Sequence, residues 1–120
     1  MRLLIPVLAI MTLATAAFAE GEYRHFVCFK FKKDTPAAEI ARIEKEFVAL
    51  ARKIDTVKGF EWGLNVSPEK LDKGFTHAFL VTFKDKAGLD TYLPHPAHED
   101  FVEGLKPHLD DVLVIDYVAK

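Results

Sequence analysis

The chain has 120 residues, with 16 Lys and Arg against 18 Asp and Glu, for a formal net charge of −2 with histidine neutral. That balance offers no electrostatic footprint for nucleic acid or for an anionic membrane surface, so neither is expected as a partner. One cysteine, Cys28, rules out an intramolecular disulfide, and its apolar surroundings suit a small buried residue better than a bridge between subunits.

The first stretch has the pattern of a processing signal. Met1-Arg2 is a short basic start, Leu3 to Leu13 is apolar, and Ala17-Phe18-Ala19 is the small-x-small pattern that signal peptidase cleaves after. The apolar run is shorter than the roughly 20 residues that span a bilayer. The expectation is a signal peptide over 1–19, cleaved after Ala19, and a single exported domain over 20–120 that is secreted or periplasmic and has no membrane association after cleavage.

Tyr23 to Phe31 reads as a strand, rich in aromatic and β-branched residues, with Tyr23, His25, Val27, Phe29 and Phe31 on one face and Phe26 and Cys28 adding apolar surface to the other. The cluster Lys30, Lys32, Lys33 marks a solvated strand end. Thr35-Pro36 predicts a helix start, with Thr35 as N-cap and Pro36 in the first helical position. Ile40, Ile43, Phe47, Leu50 and Ile54 then recur at helical spacing, opposite a face that carries Glu39, Arg42, Glu46 and Lys53.

A second strand follows Gly59, with Phe60, Trp62, Leu64 and Val66 in alternation and Trp62 expected in the core. Ser67 to Gly74 is a polar connection, and Thr76 to Phe83 is a third strand with His77, Phe79, Val81 and Phe83 on one face. Asp85 can cap a short helix through Leu93, in which Leu89 and Leu93 share a face beside Tyr92. Pro94 and Pro96 interrupt it. A further helix can begin at Pro96, carry Phe101, Val102 and Leu105 inward and stop at Pro107, and Asp111 to Val118 forms the last strand.

Strand, helix, strand, strand, two-part helix, strand is the order of two split β-α-β units. The expected class is α+β, a ferredoxin-like antiparallel sheet with its helices on one face. The first and third strands are expected to be central, adjacent and parallel, which would set His25 and His77 side by side. The other sheet face should be polar in such a domain, yet Phe26, Cys28, Ala78 and Leu80 fall on it. A homodimer joined through that face would cover them, making a dimeric α/β barrel.

The joint Tyr92-Leu93-Pro94-His95-Pro96-Ala97-His98 gathers a phenol and two imidazoles. His98 can move a proton near neutral pH, and Tyr92 can donate a hydrogen bond to a developing oxyanion. Val27, Phe47, Phe79 and Leu89 can wall a pocket for a small hydrophobic ligand, with His25 and His77 at its polar end.

His25-Phe26-Val27-Cys28-Phe29-Lys30-Phe31-Lys32, Thr76-His77-Ala78-Phe79-Leu80-Val81-Thr82-Phe83, the joint and the closing Leu113-Val114-Ile115-Asp116-Tyr117 resemble the stress-responsive dimeric α/β-barrel (Dabb) family. The resemblance spans essentially all of 20–120 and implies a ferredoxin-like fold that dimerises through its sheets. One plant member closes a polyketide ring by intramolecular aldol condensation. By position, the resemblance implies His98 as general base, Tyr92 as its catalytic partner, and His25 and His77 as pocket residues, with Phe47 standing where that enzyme has a further tyrosine.

Other readings compete with proton transfer. His25, His77, His95 and His98 could form a nitrogen-rich metal site, but the prolines do not put His95 and His98 on one regular helical face, so neither a metal nor another cofactor is expected. A structural reading has His95 capping the second helical segment, His25 and His77 hydrogen-bonded within the core and Tyr92 filling space. Ligand binding without turnover, or a non-enzymatic stress-response module acting as a homodimer, is the remaining alternative.

Overall fold

The computed structural model describes residues 21–120, so the signal-peptide expectation lies outside the described residues. Strand β1 (Tyr23–Phe31) leads into helix α1 (Ala37–Lys53), followed by β2 (Val57–Leu64) and β3 (His77–Phe83). Helices α2 (Lys86–Tyr92) and α3 (Pro96–Leu105) follow, then a 3-10 turn (Lys106–His108) and β4 (Leu109–Val118).

The start of α1 differs from expectation by one residue. Pro36, with extended backbone, occupies the N-cap position and makes no side-chain cap. Thr35 instead donates its hydroxyl to the Lys32 carbonyl at 2.7 Å, closing the preceding turn. The amphipathic reading of α1 holds, with Ile43, Phe47 and Leu50 buried against the sheet. On its outer side Arg42 binds Glu39 at 2.7 Å, Glu46 at 2.8 Å and the Gly104 carbonyl at 3.0 Å, tying α1 to the end of α3.

The sheet has the order β2-β3-β1-β4, and each neighbouring pair is antiparallel. This corrects the expectation that β1 and β3 run parallel. The crossover through α1 brings β2 back in the direction of β1, and the β2–β3 hairpin then reverses the chain, so β3 must oppose β1. In the resulting register His25 lies opposite Val81, and His77 lies opposite Phe29. His77 is therefore four residues away along β1, roughly 13 Å at the usual strand rise, and the two imidazoles sit toward opposite ends of the sheet.

The core between sheet and helices is aromatic. Phe47 stacks on Phe79 at 4.3 Å, Phe29 meets Phe79 at 5.0 Å, and Phe101 closes on Phe47 at 4.9 Å. Ile43, Phe79, Val81 and Phe83 are completely buried, and each such side chain contributes about 1.5–3 kcal/mol by leaving water.

Two features remain outside that core. Trp62 is 38 % exposed, stacked over Phe79 and His77, on β2, an edge strand with a neighbouring strand on one side only. This corrects its assignment to the core. On the sheet face away from the helices, Cys28 pairs with Ala78 and Leu113, and Phe26 with Leu80 and Ile115, a continuous apolar band with Leu113, Ile115 and Tyr117 exposed. Burial raises the pKa of the Cys28 thiol, which keeps it protonated and weakly nucleophilic.

Candidate functional site

The helical joint is built by caps and prolines. Asp85 accepts from the Gly88 amide to start α2, and Tyr92 is its last residue. Pro96 opens α3, and His95 is its N-cap, accepting the Ala97 amide on Nδ1 at 3.0 Å. The bend places the ring of His98, in the first turn of α3, 4.6 Å from that of Tyr92. His98 Nδ1–H donates to the carbonyl oxygen of Leu93 at 2.9 Å. A carbonyl can only accept, so neutral His98 carries its proton on Nδ1 and keeps the Nε2 lone pair free.

From the sheet, β1 delivers His25, whose ring meets Tyr92 edge-on at 5.9 Å. Its Nδ1 lies 2.6 Å from Asp116 Oδ1 on neighbouring β4, and Tyr23 donates to the other carboxylate oxygen at 3.1 Å. The carboxylate accepts from Nδ1–H and so turns the Nε2 lone pair of neutral His25 away from itself.

These groups lie at one end of a cavity of about 320 Å³ between α2, α3, β1 and β4. His25, Tyr92, His98 and Asp116 form its polar part, and Val27, Phe29, Phe47, Phe101 and Leu105 are among the apolar walls. Val112 and Val114 also line it, yet they are 43 % and 50 % exposed, so the cavity opens beside β4. Among the described residues the Tyr92 hydroxyl has no hydrogen-bond partner. Among these residues no fully enclosed polar side-chain atom lacks a partner, so this hydroxyl is not sealed off, and Tyr92 lines the cavity. Burial drives the Tyr92 pKa upward, keeping the phenol a proton donor. Burial is also the leading influence on His98 and lowers its pKa, with the Leu93 carbonyl acting in the opposite sense.

Of the residues proposed from sequence, His98, Tyr92, His25, Val27 and Phe47 meet at this cavity, while His77, Phe79 and Leu89 do not. Phe79 and Leu89 are packed in the core instead. His77 is buried elsewhere, with Nε2 2.8 Å from Glu44 Oε2 and Nδ1 2.7 Å from Thr76 Oγ1. Both its ring nitrogens are occupied, as the structural reading of a core histidine requires. Of the four imidazoles weighed as a metal site, His25 and His98 line the cavity, His95 caps α3 and His77 lies elsewhere, and among the described residues no cluster of three or more His, Cys, Asp or Glu could hold a metal ion.

Asp116 escaped sequence reasoning. Its signal was available: it continues the Val112, Val114 phase of β4, so it is an acid on the inward face of an apolar strand. That phase acquires chemical meaning only when β4 pairs with β1 and brings Asp116 to His25.

Fold and site together define a ferredoxin-like α+β domain that encloses a small hydrophobic cavity edged by imidazole and phenol. The chain belongs to the stress responsive A/B barrel domain (Dabb) family, whose model matches residues 23–119. It is 38% identical over 99 residues to the stress-response A/B barrel domain-containing protein HS1 of Arabidopsis thaliana, covering 82% of this chain and 91% of that protein. It is 29% identical over 97 residues to olivetolic acid cyclase of Cannabis sativa, covering 81% and 96%. A solved dimeric ferredoxin-like protein of unknown function from Jannaschia sp. CCS1 superposes with a TM-score of 0.71 at 28% identity, covering 81% of this chain and 98% of the other.

Proposed function

We propose that this protein is a small-molecule-binding Dabb homodimer in which the His98 and Tyr92 edge of the cavity performs proton transfer of a cyclase- or lyase-like kind. The observation that carries the reading is the His98 Nδ1 to Leu93 hydrogen bond of 2.9 Å, which reserves Nε2 as a base beside the Tyr92 ring. A substrate seated against this pair would lose a C–H or O–H proton to Nε2. Its oxygen, gaining negative charge, would take a hydrogen bond from the Tyr92 hydroxyl. Likeness to a relative named as a cyclase supports the reaction class.

Dimerisation through the apolar sheet face is part of the proposal, supported by the exposed Leu113, Ile115 and Tyr117 and by a related structure described as dimeric. Export through a signal over Met1 to Ala19 is the reading of that segment's basic, apolar and small-residue pattern. A second reading, a non-enzymatic stress-response module, draws on the same apolar face: its function would lie in the dimer and its surface.

The test is exchange of carbon-bound protons. Small aryl ketones that bind in the cavity are incubated with protein in deuterated water, and deuterium entry next to the carbonyl is followed by NMR. Protein-dependent exchange that disappears in His98→Ala and falls in Tyr92→Phe, with both variants folded, is the expected result. Bound ketones that exchange no faster than in buffer would favour the non-enzymatic module.

A further inference from the structure

The polar end of the cavity has a donor and acceptor pattern that restricts what it can hold, and the inference rests on the reading of that cavity as a ligand site. Tyr92 presents an O–H, and His98 presents the lone pair of Nε2 because Nδ1–H is committed to Leu93. His25 presents a second lone pair by the same logic, with its Nδ1 committed to Asp116 at 2.6 Å. The cavity lining includes a carboxylate, Asp116, and neither lysine nor arginine.

We propose that the site selects uncharged ligands bearing a hydroxyl group, of the size of a substituted phenol, and discriminates against carboxylates and phosphates. A hydroxyl accepts from Tyr92 and donates to an imidazole nitrogen at once, so it satisfies both partners. A carboxylate only accepts. It would leave the imidazole acceptors facing like lone pairs, approach Asp116 without a lysine or arginine to compensate, and lose its hydration in an apolar cavity. The apolar walls supply affinity for a compact hydrocarbon body but distinguish poorly between ligands of equal shape. Selectivity therefore resides in the polar end.

Three probes of similar shape test this at about pH 8, where a phenol stays neutral and a benzoate is ionised: 4-ethylphenol, 4-ethylbenzoate and ethylbenzene. Binding is read by NMR from shifts of the Tyr92 and His98 signals and by calorimetry on the folded, full chain. The phenol is expected to bind at least about tenfold more tightly than either other probe, the margin that about one net hydrogen bond supplies. In Tyr92→Phe, and separately in His98→Gln, its affinity should fall toward that of ethylbenzene. If benzoate matches or exceeds the phenol, or if ethylbenzene matches it, the selectivity is refuted while the cavity stands as a hydrophobic site. If none of the three shifts those signals, the ligand-site reading itself falls.

Discussion

His25 and Asp116 are 91 positions apart in the chain and 2.6 Å apart in the fold. The antiparallel pairing of β1 with β4 makes them direct partners, and their side chains share the inward face of the sheet. The contact links a buried imidazole at the cavity to a carboxylate that also receives the Tyr23 hydroxyl.

Asp116→Ala should therefore destabilise the domain by about 1–3 kcal/mol, the cost of leaving a buried hydrogen-bonding group without its partner. Urea denaturation gives the value directly. A midpoint unchanged from wild type would mean that His25 finds an equivalent partner without Asp116.

The two imidazoles of the joint should separate cleanly on substitution. His95→Ala removes the α3 N-cap and is expected to cost about 1 kcal/mol of stability, in the range of lost caps. Its effect on ligand binding should be small because His95 does not line the cavity. His98→Ala should do the reverse, reducing binding or exchange more than stability. Parallel calorimetry and denaturation of both variants would expose any inversion of this order.

The pH dependence follows from His98. Burial is the main cause of its lowered pKa; nearby His25 and His95 act in the same sense, and Glu99 and the Leu93 carbonyl oppose them. The folded state thus binds this proton less readily than the unfolded chain, whose histidine titrates at about 6.5. The stability owed to neutral His98 is complete above that value and is lost as pH falls through the lowered folded value. Site-resolved NMR titration should show His98 half-protonated below the ordinary histidine range. Denaturation midpoints of wild type should lose more on acidification than those of His98→Gln.

The outer sheet face should govern assembly. Ile115→Glu places a charge in the band formed with Phe26 and Leu80. Sedimentation of the purified domain is expected to change from dimer to monomer, whereas a variant that still sediments as wild type would remove this face from the interface.

The order of elements was legible because its causes are local. Alternation in Tyr23 to Phe31, the helical stripe from Ile40 to Ile54 and the prolines of the joint each act within a few residues. Apolar residues in the outward phase of two strands, Phe26 and Cys28 against Ala78 and Leu80, also revealed a sheet face that needs cover. Trp62 shows the limit of that reasoning. Its phase was right, but β2 lies at the edge of the sheet, and strand order across the sheet is not encoded by alternation.

By itself the sequence determined the elements, the faces they bury and the bend that brings Tyr92 against His98, since each depends on neighbours along the chain. Only the tertiary structure decided which distant groups share the cavity. Strand direction sent His77 to the far end of the sheet and into a pair with Glu44, and strand register carried Asp116 to His25. Periodicity specifies a side chain's face but not its end of the strand, and position along a strand is set by pairing across the sheet.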